Sequence, residues 1–277
     1  MGFSEETNLV LDPDATAGRA SALEAKPDAF LVDLSIIIPV FNEESRIIET
    51  ITSLADYLQQ QGENYEIIIS DDGSRDGGPE QVKEWFGAAE PVRLLRERQH
   101  QGKGAAVRRG VLAARGDVII FMDADLSYPV ETIGFCLDCL QEFDIVIGSR
   151  NLPESGIEIT PPPLRRLAGP VFKALVRRLA LPGFTDTQCG FKGFRSAAAH
   201  EIFLSCEVNG FAFDVEVLAL AQKFGYRITE VPVRLVVDSS DSHINLTTDP
   251  LRMIADIIRI RRRVMAKANV ECRMSND

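Results

Sequence analysis

Long apolar runs are missing from this sequence. No stretch of its 277 residues reaches the ~18 apolar residues that a membrane-spanning helix needs. The acidic N terminus also lacks the basic and apolar segments of a secretory signal peptide. We therefore expect a cytoplasmic protein whose contact with a membrane, where it has one, is peripheral at the cytoplasmic face.

Cysteine is scarce and irregularly spaced. The chain has five cysteines, an odd number scattered between positions 136 and 272, which is typical of reduced thiols and not of a disulfide framework. Cys136 and Cys139 form a C-x-x-C pair, but they fall in a predicted helix and no second Cys/His pair lies at zinc-finger spacing. We expect both to be packing residues.

An excess of positive charge is also absent. The chain carries 41 acidic against 30 basic residues, a net charge of −11, which argues against nucleic acid as a partner. Residues 1–32 are acidic and without periodicity, and predict a flexible leader. After a loop from 238, a helix predicted over about 250–267 has arginines around an apolar stripe. Such a helix either lies on an anionic membrane surface or packs on the core, and both interpretations stay open.

Two common nucleotide-binding motifs are missing as well. Gly102-Lys103-Gly104 precedes a predicted helix, where backbone N–H groups and a lysine could meet a phosphate. It fits neither the G-x-G-x-x-G fingerprint of dinucleotide-binding proteins nor the P-loop pattern of NTPases. The dehydrogenase and NTPase classes are therefore disfavoured.

What the sequence does contain is an alternation of short β-branched runs with helical patterns. This alternation is typical of a mostly parallel sheet covered by helices on both faces, and it predicts one Rossmann-like α/β domain over 33–237. The predicted strands are 34–40, 65–70, 92–95, 117–122, 144–148 and 228–237. The predicted helices are 43–60, 79–86, 104–114, 129–142, 164–181 and 212–224.

Polar or acidic segments follow four of these strands, and ligand-binding loops of such sheets gather beyond the carboxyl ends of the strands. Of the four segments, 39–43, 71–74, 123–125 and 148–150, the third carries Asp123 and Asp125, whose neighbouring carboxylates repel unless a cation lies between them. Mg²⁺ or Mn²⁺ shared with substrate phosphates is the expected guest. A solvated turn is the alternative.

Two further sets of residues predict contacts with a substrate. Asp72, before the turn-forming Gly73, could accept hydrogen bonds from a nucleobase or ribose, although Asp-Gly is also ordinary turn chemistry. Arginine suits bidentate capture of phosphate, and surface solvation is the alternative for the arginines that follow the fifth strand, Arg150, Arg165 and Arg166. Arg108 and Arg109 resemble an ordinary helix face.

Six stretches together resemble family 2 glycosyltransferases of the GT-A fold, and among them the polyprenyl-phosphate (dolichyl-phosphate) sugar synthases. The stretches are LSIIIPVFNEE, SDDGSRDGG, GKGAAVRRGVLAARGDVIIFMDADLSYP, VIGSR, DTQCGFKGFR and GFAFDVEVLALAQKFGYRITEVPV, over about 34–237. DTQCGFK with FAFDVE is most similar to the β-glucosyltransferase branch.

The resemblance implies a nucleotide-sugar half over about 33–150, an acceptor half over about 151–237, and a role for each matched residue. The nucleoside would contact Pro39, Phe41, Glu43 and Asp72. The donor diphosphate would meet Lys103 and, through Mg²⁺ or Mn²⁺, the segment Asp123-Ala124-Asp125, while Asp186 and Gln188 would face the sugar. Arg150 with Arg165 or Arg166 would grip an acceptor phosphate.

The implied reaction is an inverting transfer of glucose or mannose from UDP-glucose or GDP-mannose to a polyprenyl phosphate. We expect Asp125, Asp186 and Asp214 to be catalytic. A phosphate acceptor is already anionic and needs no general base, whereas a hydroxyl acceptor would need one, with Asp214 or Glu216 as the candidate.

Two departures from the family pattern leave alternatives. Ser127 stands where many mannosyl members have a glutamine ligand, and the membrane helices of several members have no counterpart here. A transferase acting on a soluble hydroxyl acceptor and a non-catalytic nucleotide-sugar binding protein therefore remain as rival hypotheses, and the oligomeric state stays open.

Overall fold

A computed structural model describes residues 32–87, 91–155, 181, 183–236 and 249–274, with the side chains of the last segment described over 252–264. The predicted leader lies outside the described residues except for Val32, which is buried. The predicted helix 164–181, with Arg165 and Arg166, also lies outside them apart from the buried Leu181.

The described residues build one seven-stranded sheet, which confirms the predicted α/β class. The five strands predicted over 34–148 match β1 to β5 to within one residue at each end. The strands are β1 (Leu34–Val40), β2 (Tyr65–Asp71), β3 (Val92–Arg96), β4 (Val118–Met122), β5 (Ile145–Ser149), β6 (Phe191–Arg195) and β7 (Ile228–Pro232). Their order is β3-β2-β1-β4-β6-β5-β7, and β6 alone among them runs antiparallel to its neighbours.

Helices cover both faces of the sheet. They are α1 (Ile47–Gln61), α2 (Gly78–Phe86), α3 (Lys103–Ala113), α4 (Thr132–Cys139), α5 (Ser196–Ser205), α6 (Phe213–Phe224) and α7 (Asp249–Met274). Side chains alternate along β1, so that Ile36 and Ile38 join the core under α1, α2 and α4, while Ile37 joins the core under α3, α5, α6 and α7. A Cβ on Gly110 would lie 2.3 Å from Cγ2 of Ile37, so this glycine lets α3 approach the sheet closely.

Three parts of the fold differ from the sequence prediction. Strand β6 and helix α5 were not predicted, because FKGFR places a lysine and a glycine inside the strand and interrupts the apolar run that marks a buried strand. The strand predicted over 228–237 ends at Pro232, although the N–H of Val233 still donates to the carbonyl of Ser149 on β5 at 3.1 Å. The sheet is mostly parallel, as predicted, and β6 is the antiparallel strand between β4 and β5.

The C-terminal helix packs its apolar stripe on the body of the domain. Ile257 and Ile260 are buried in the core that α6 also enters, which is the second of the two interpretations left open above. Its outward arginines, Arg252, Arg259, Arg261 and Arg262, are exposed. None of the helices within the described residues is long and apolar enough to cross a membrane.

The described cysteines are free thiols. Cys136 is fully buried on α4 and faces Gly193 of β6, where an added Cβ would lie 2.3 Å from its sulfur. Cys139 is half-buried and contacts the same core. The predicted packing role of this pair is confirmed.

Candidate active site

The carboxyl ends of β1, β2, β4 and β5 point to one edge of the sheet, called the carboxyl edge below. The register of β1 with β2 ends on Val40 opposite Asp71, which places the following loops side by side. Asn42 joins them: its N–H donates to Ser74 Oγ at 2.8 Å and its Oδ1 accepts from the N–H of Arg75 at 2.9 Å. The φ of 58° at Asn42 is one that asparagine tolerates well.

Three of the four predicted nucleoside contacts are half-buried residues at this edge, and the fourth, Asp72, is buried. Pro39, Phe41 and Glu43 are half-buried; the Phe41 ring lies against His100 with ring centroids 4.0 Å apart, and Glu43 pairs with Arg46 at 3.1 Å. His100 was not singled out from the sequence.

Asp72 is buried behind the loop that precedes α3. Its two carboxylate oxygens accept the N–H groups of Gln101 at 3.0 Å and Gly102 at 2.7 Å, and His100 Nδ1 lies 2.8 Å from Oδ2. The structure therefore gives Asp72 the role of fixing this loop, and its contact with a nucleoside stays a prediction. Gly73 has φ 77°, as the predicted turn requires.

An ion pair between Lys103 and Asp123 occupies the centre of the edge. Lys103 begins α3, and its ammonium donates to Asp123 Oδ1. Burial disfavours the charged form of Lys103, but the carboxylates of Asp123, Asp214 and Asp125 outweigh it and hold the pKa of Lys103 above its usual value. The predicted neighbourhood of Lys103 and the Asp-x-Asp segment is thus present.

The Asp-x-Asp segment is held by its own backbone and by α1. Asp125 Oδ1 accepts the N–H of Ser127 at 3.0 Å, and the carbonyl of the buried Ala124 accepts from Thr50 Oγ1 at 2.6 Å. Asp123 and Asp125 are both half-buried, so their carboxylates border solvent. The pair is therefore anchored without being sealed inside the core.

Gly190 supports Asp123 and was missed from the sequence. A Cβ built on Gly190 would lie 1.9 Å from Asp123 Oδ2, so no larger residue fits while the carboxylate keeps this position. The contact joins the segment before β6 to the loop after β4, and only the unpredicted strand β6 brings the two together. A glycine at the end of DTQCG is the one signal that the sequence carries.

Arg150 and Asp186 form a bidentate pair. Arg150 Nε lies 2.6 Å from Asp186 Oδ2 and its Nη2 lies 2.9 Å from Oδ1. Asp186 is buried while the Arg150 side chain keeps 31% of its exposure. Gln188 donates its backbone N–H to Asp186 Oδ1 at 3.3 Å. Arg150 is therefore already paired with Asp186 at this edge. Its contact with an acceptor phosphate stays a prediction, and so does the contact of Asp186 and Gln188 with the sugar.

Helix α6 contributes two acidic residues with separate surroundings. Asp214 accepts from Lys192 Nζ at 2.5 Å; burial raises the pKa of Asp214, and the ammonium groups of Lys192 and Lys103 oppose that rise. Glu216 is fully buried, accepts the N–H groups of Glu207 and Val208, and pairs with Arg263. These contacts give Glu216 a structural role in place of the proposed general base.

The arginines of α3 also differ from the expected solvated face. Arg108 donates to the carbonyl of Cys206 at 3.1 Å and to Asn209 Oδ1 at 2.8 Å. Arg109 donates to the carbonyl of Asp71 at 2.6 Å. Both therefore tie α3 to neighbouring loops.

The acidic pair suits a divalent cation that is shared with a ligand. Among the residues described, no group of three or more His, Cys, Asp or Glu side chains is placed to hold a metal. Asp123 and Asp125 supply hard oxygen donors, and Mg²⁺ or Mn²⁺ bound by one or two carboxylates usually completes its shell with water and substrate phosphates. The donor set fits such a cation.

The sheet order and the acidic pair at the carboxyl edge define the class of protein as an α/β enzyme of the GT-A glycosyltransferase type. Residues 35–203 match the family model described as Glycosyl transferase family 2, and the chain belongs to this family. It is accordingly a glycosyltransferase.

Among similar proteins is a dolichyl-phosphate beta-glucosyltransferase of Dictyostelium discoideum, 33% identical over 258 residues, which are 88% of this chain and 79% of that protein. The Homo sapiens dolichyl-phosphate beta-glucosyltransferase is 32% identical over 266 residues, 91% of this chain and 82% of that one.

Solved structures share the fold at lower identity. Glucosyl-3-phosphoglycerate synthase from Mycobacterium tuberculosis, in complex with Mn²⁺, UDP and glucosyl-3-phosphoglycerate, superposes with a TM-score of 0.62 and 19% identity over 90% of this chain and 83% of that one. Mannosyl-3-phosphoglycerate synthase from Rubrobacter xylanophilus superposes with a TM-score of 0.62 and 20% identity, over 94% of this chain and 80% of that one.

Proposed function

We propose that this chain transfers glucose from UDP-glucose to dolichyl or another polyprenyl phosphate, with inversion at the anomeric carbon. The observation that carries the proposal is the cluster of Lys103 with Asp123 and Asp125 at the carboxyl edge. The named dolichyl-phosphate beta-glucosyltransferases, similar over most of the chain, support this acceptor and favour glucose over mannose.

The charges at the edge suit a departing diphosphate. Asp123 and Asp125 would hold Mg²⁺ or Mn²⁺, which neutralises negative charge on the leaving diphosphate when bound. Lys103 places an ammonium beside the same group, and burial strengthens its electrostatic effect. We propose that residues 33–150 bind the donor and residues 151–237 the acceptor.

The acceptor chemistry requires little proton transfer. A phosphate monoester has its second pKa near ~6, so the attacking oxygen is already anionic at neutral pH. Arg150, oriented by Asp186, would hold that phosphate in line with the donor. Asp186 and Gln188 would face the sugar, and Asp214, which acts on Lys103, would take no proton from a phosphate acceptor.

Because its apolar stripe packs on the core, helix α7 would contact a membrane only through its exposed arginines, which would hold the enzyme near a lipid acceptor. Its exposed arginines are attracted to anionic lipid by about 1 kcal/mol each. Arg261→Glu should therefore weaken co-sedimentation with phosphatidylserine vesicles several-fold, while Lys83→Glu, on the exposed face of α2, should not. Equal losses in both variants would contradict docking through α7.

Transfer of label tests the activity itself. Purified protein is incubated with dolichyl phosphate, MnCl₂ and labelled UDP-glucose or GDP-mannose, and the product is partitioned between chloroform-methanol and water. We expect label from UDP-glucose in the organic phase and none after EDTA. A parallel reaction contains a water-soluble cell extract in place of dolichyl phosphate, and a labelled glycoside formed only there would favour a soluble hydroxyl acceptor. Donor binding without transfer in either reaction would favour a non-catalytic protein.

A further inference from the structure

Lys192 is a fully buried lysine at the centre of the sheet. It lies on β6, opposite Phe121 of β4 and Ile147 of β5, and none of its surface is exposed. Burying an ammonium costs several kcal/mol unless its charge and its N–H donors are matched. A lysine retained here therefore requires specific partners.

The partners of Lys192 are well defined. Its Nζ donates to Asp214 Oδ1 at 2.5 Å and to the carbonyl of Cys189 at 2.7 Å, and it lies 5.3 Å from the centroid of the Phe121 ring. One buried side chain thus connects β6, α6 and the loop before β6.

Both hydrogen-bond partners adjoin the Lys103–Asp123 pair. Cys189 directly precedes Gly190, whose Cα side lies against the Asp123 carboxylate. Asp214 is one of the three carboxylates that act on Lys103, the lysine paired with Asp123. Lys192 is therefore connected to Lys103 through Asp214, and to Asp123 through the Cys189–Gly190 segment.

We propose that Lys192 is a positioning residue, which holds Asp123 and Lys103 in the arrangement that binds the donor diphosphate and its cation. This inference rests on the proposed function. It adds to the site a residue that has no contact with either Asp123 or Lys103 among the described hydrogen bonds and ion pairs.

The charge balance explains how the loss of Lys192 would act. Without this ammonium, Asp214 would be an uncompensated carboxylate in the core and would attract Lys103 away from Asp123. The Cys189–Gly190 peptide would also lose its hydrogen bond and could shift against the Asp123 carboxylate. Mutation of a residue that orients a metal ligand without binding the metal typically lowers metal affinity or activity about 10–100-fold.

The test measures binding of UDP with MnCl₂ by titration calorimetry, together with the melting temperature. Lys192→Met keeps the length of the side chain and removes its charge, and Lys223→Met on α6 is the control. We expect Lys192→Met to weaken UDP binding about 10-fold or more with the fold retained, and Lys223→Met to bind as wild type. A folded Lys192→Met protein with wild-type affinity would overturn the proposal.

A double variant covers the case in which Lys192→Met does not fold. Lys192→Met with Asp214→Asn removes both charges of the buried pair and is compared with the wild-type protein. Because the hydrogen bond to Cys189 is still lost, the double variant should bind UDP more weakly than wild type, and wild-type affinity in the folded double variant would contradict the role of Lys192. If the wild-type protein itself binds no UDP, the proposed function fails; if it binds and the variants match it, only the positioning role fails.

Discussion

Asp125 offers a substitution that separates chemistry from structure. Its one hydrogen bond to a described residue, from the N–H of Ser127, can also be accepted by an asparagine oxygen. Asp125→Asn should therefore keep the fold but lower glucosyl transfer roughly 100-fold or more, because removing a fixed electrostatic partner of a leaving group costs about that much. Initial rates at saturating UDP-glucose check this.

The control for Asp125→Asn is Asp138→Asn, on the exposed face of α4. It removes the same charge from the same chain at a surface position. The assignment of Asp125 to the reaction is incorrect should the two variants retain equal rates.

Gly190 allows a steric test of the same site. In Gly190→Ala the new methyl group would overlap Asp123 Oδ2, at 1.9 Å, and force the carboxylate to move. A displacement of about 1 Å at a reacting centre can lower the rate roughly 100-fold. We expect such a loss in kcat. Gly210→Ala, where the added Cβ would meet nothing within 4 Å, should transfer at the wild-type rate.

The sequence predicts the residues of this site better than it predicts their contacts. Lys103, Asp123 and Asp125 could be placed at one edge because each follows or precedes a strongly patterned element. Lys192 and Gly190 could not be assigned a role, because their contacts arise only when β6 enters the sheet beside β4. Glu216 was assigned to chemistry because its partners, Val208 and Arg263, belong to a loop and a helix that the local pattern does not connect.

At the scale of elements, helix α7 should be a part of the folded domain. Ile257 is fully buried and Ile258 is 39% exposed, so adjacent isoleucines of one helix provide a matched pair. Ile257→Ala should lower the free energy of unfolding by about 2–5 kcal/mol, and Ile258→Ala by less than about 1 kcal/mol. Urea unfolding at equilibrium measures both. Similar small effects would mean that α7 is not packed as described.

The opposite edge of the sheet, where β1 and β2 begin, carries a buried carboxylate with a structural role. Glu66 of β2 accepts hydrogen bonds from Ser35, Arg93 and Arg115. Burial raises its pKa, but these bonds together bring the pKa of Glu66 below its ordinary value of 4.5. The stabilisation is therefore fully present above pH 4.5 and is lost as the pH falls below that value.

Glu66→Gln should consequently reduce stability at pH 7 by about 1–3 kcal/mol, because Arg93 and Arg115, whose side chains are 27% and 42% exposed, lose the charge of their buried partner. The difference in the free energy of unfolding between Glu66→Gln and wild type should become smaller below pH 4.5. Urea unfolding at several pH values measures it. Glu80→Gln removes the largely exposed partner of Arg96, so it should change the free energy of unfolding little at any pH. A difference for Glu66→Gln that is constant with pH would contradict the charge argument.

At the scale of the whole molecule, two clusters of charged side chains lie at opposite edges of the sheet. The cluster around Glu66 joins β1, β2, β3 and the end of α3, whereas Lys103, Asp123 and Asp214 meet where α3 and α6 begin. The predicted strand pattern was sufficient for the α/β class, because long β-branched runs fix β1, β2 and β4. The position of β6 between β4 and β5 depends on long-range pairing, which local sequence does not encode.

Ligand binding should stabilise the whole chain in a way that depends on the acidic pair. A ligand present at 100 times its Kd stabilises the folded state by about 2.7 kcal/mol, which raises the Tm of a domain of this size by roughly 5 °C. UDP with MnCl₂ should give the wild-type protein such a shift, and EDTA should abolish it. Asp125→Asn should show little shift, and Asp138→Asn the full one. Because the measurement requires no acceptor, a full shift in Asp125→Asn would show that the donor site binds UDP independently of Asp125.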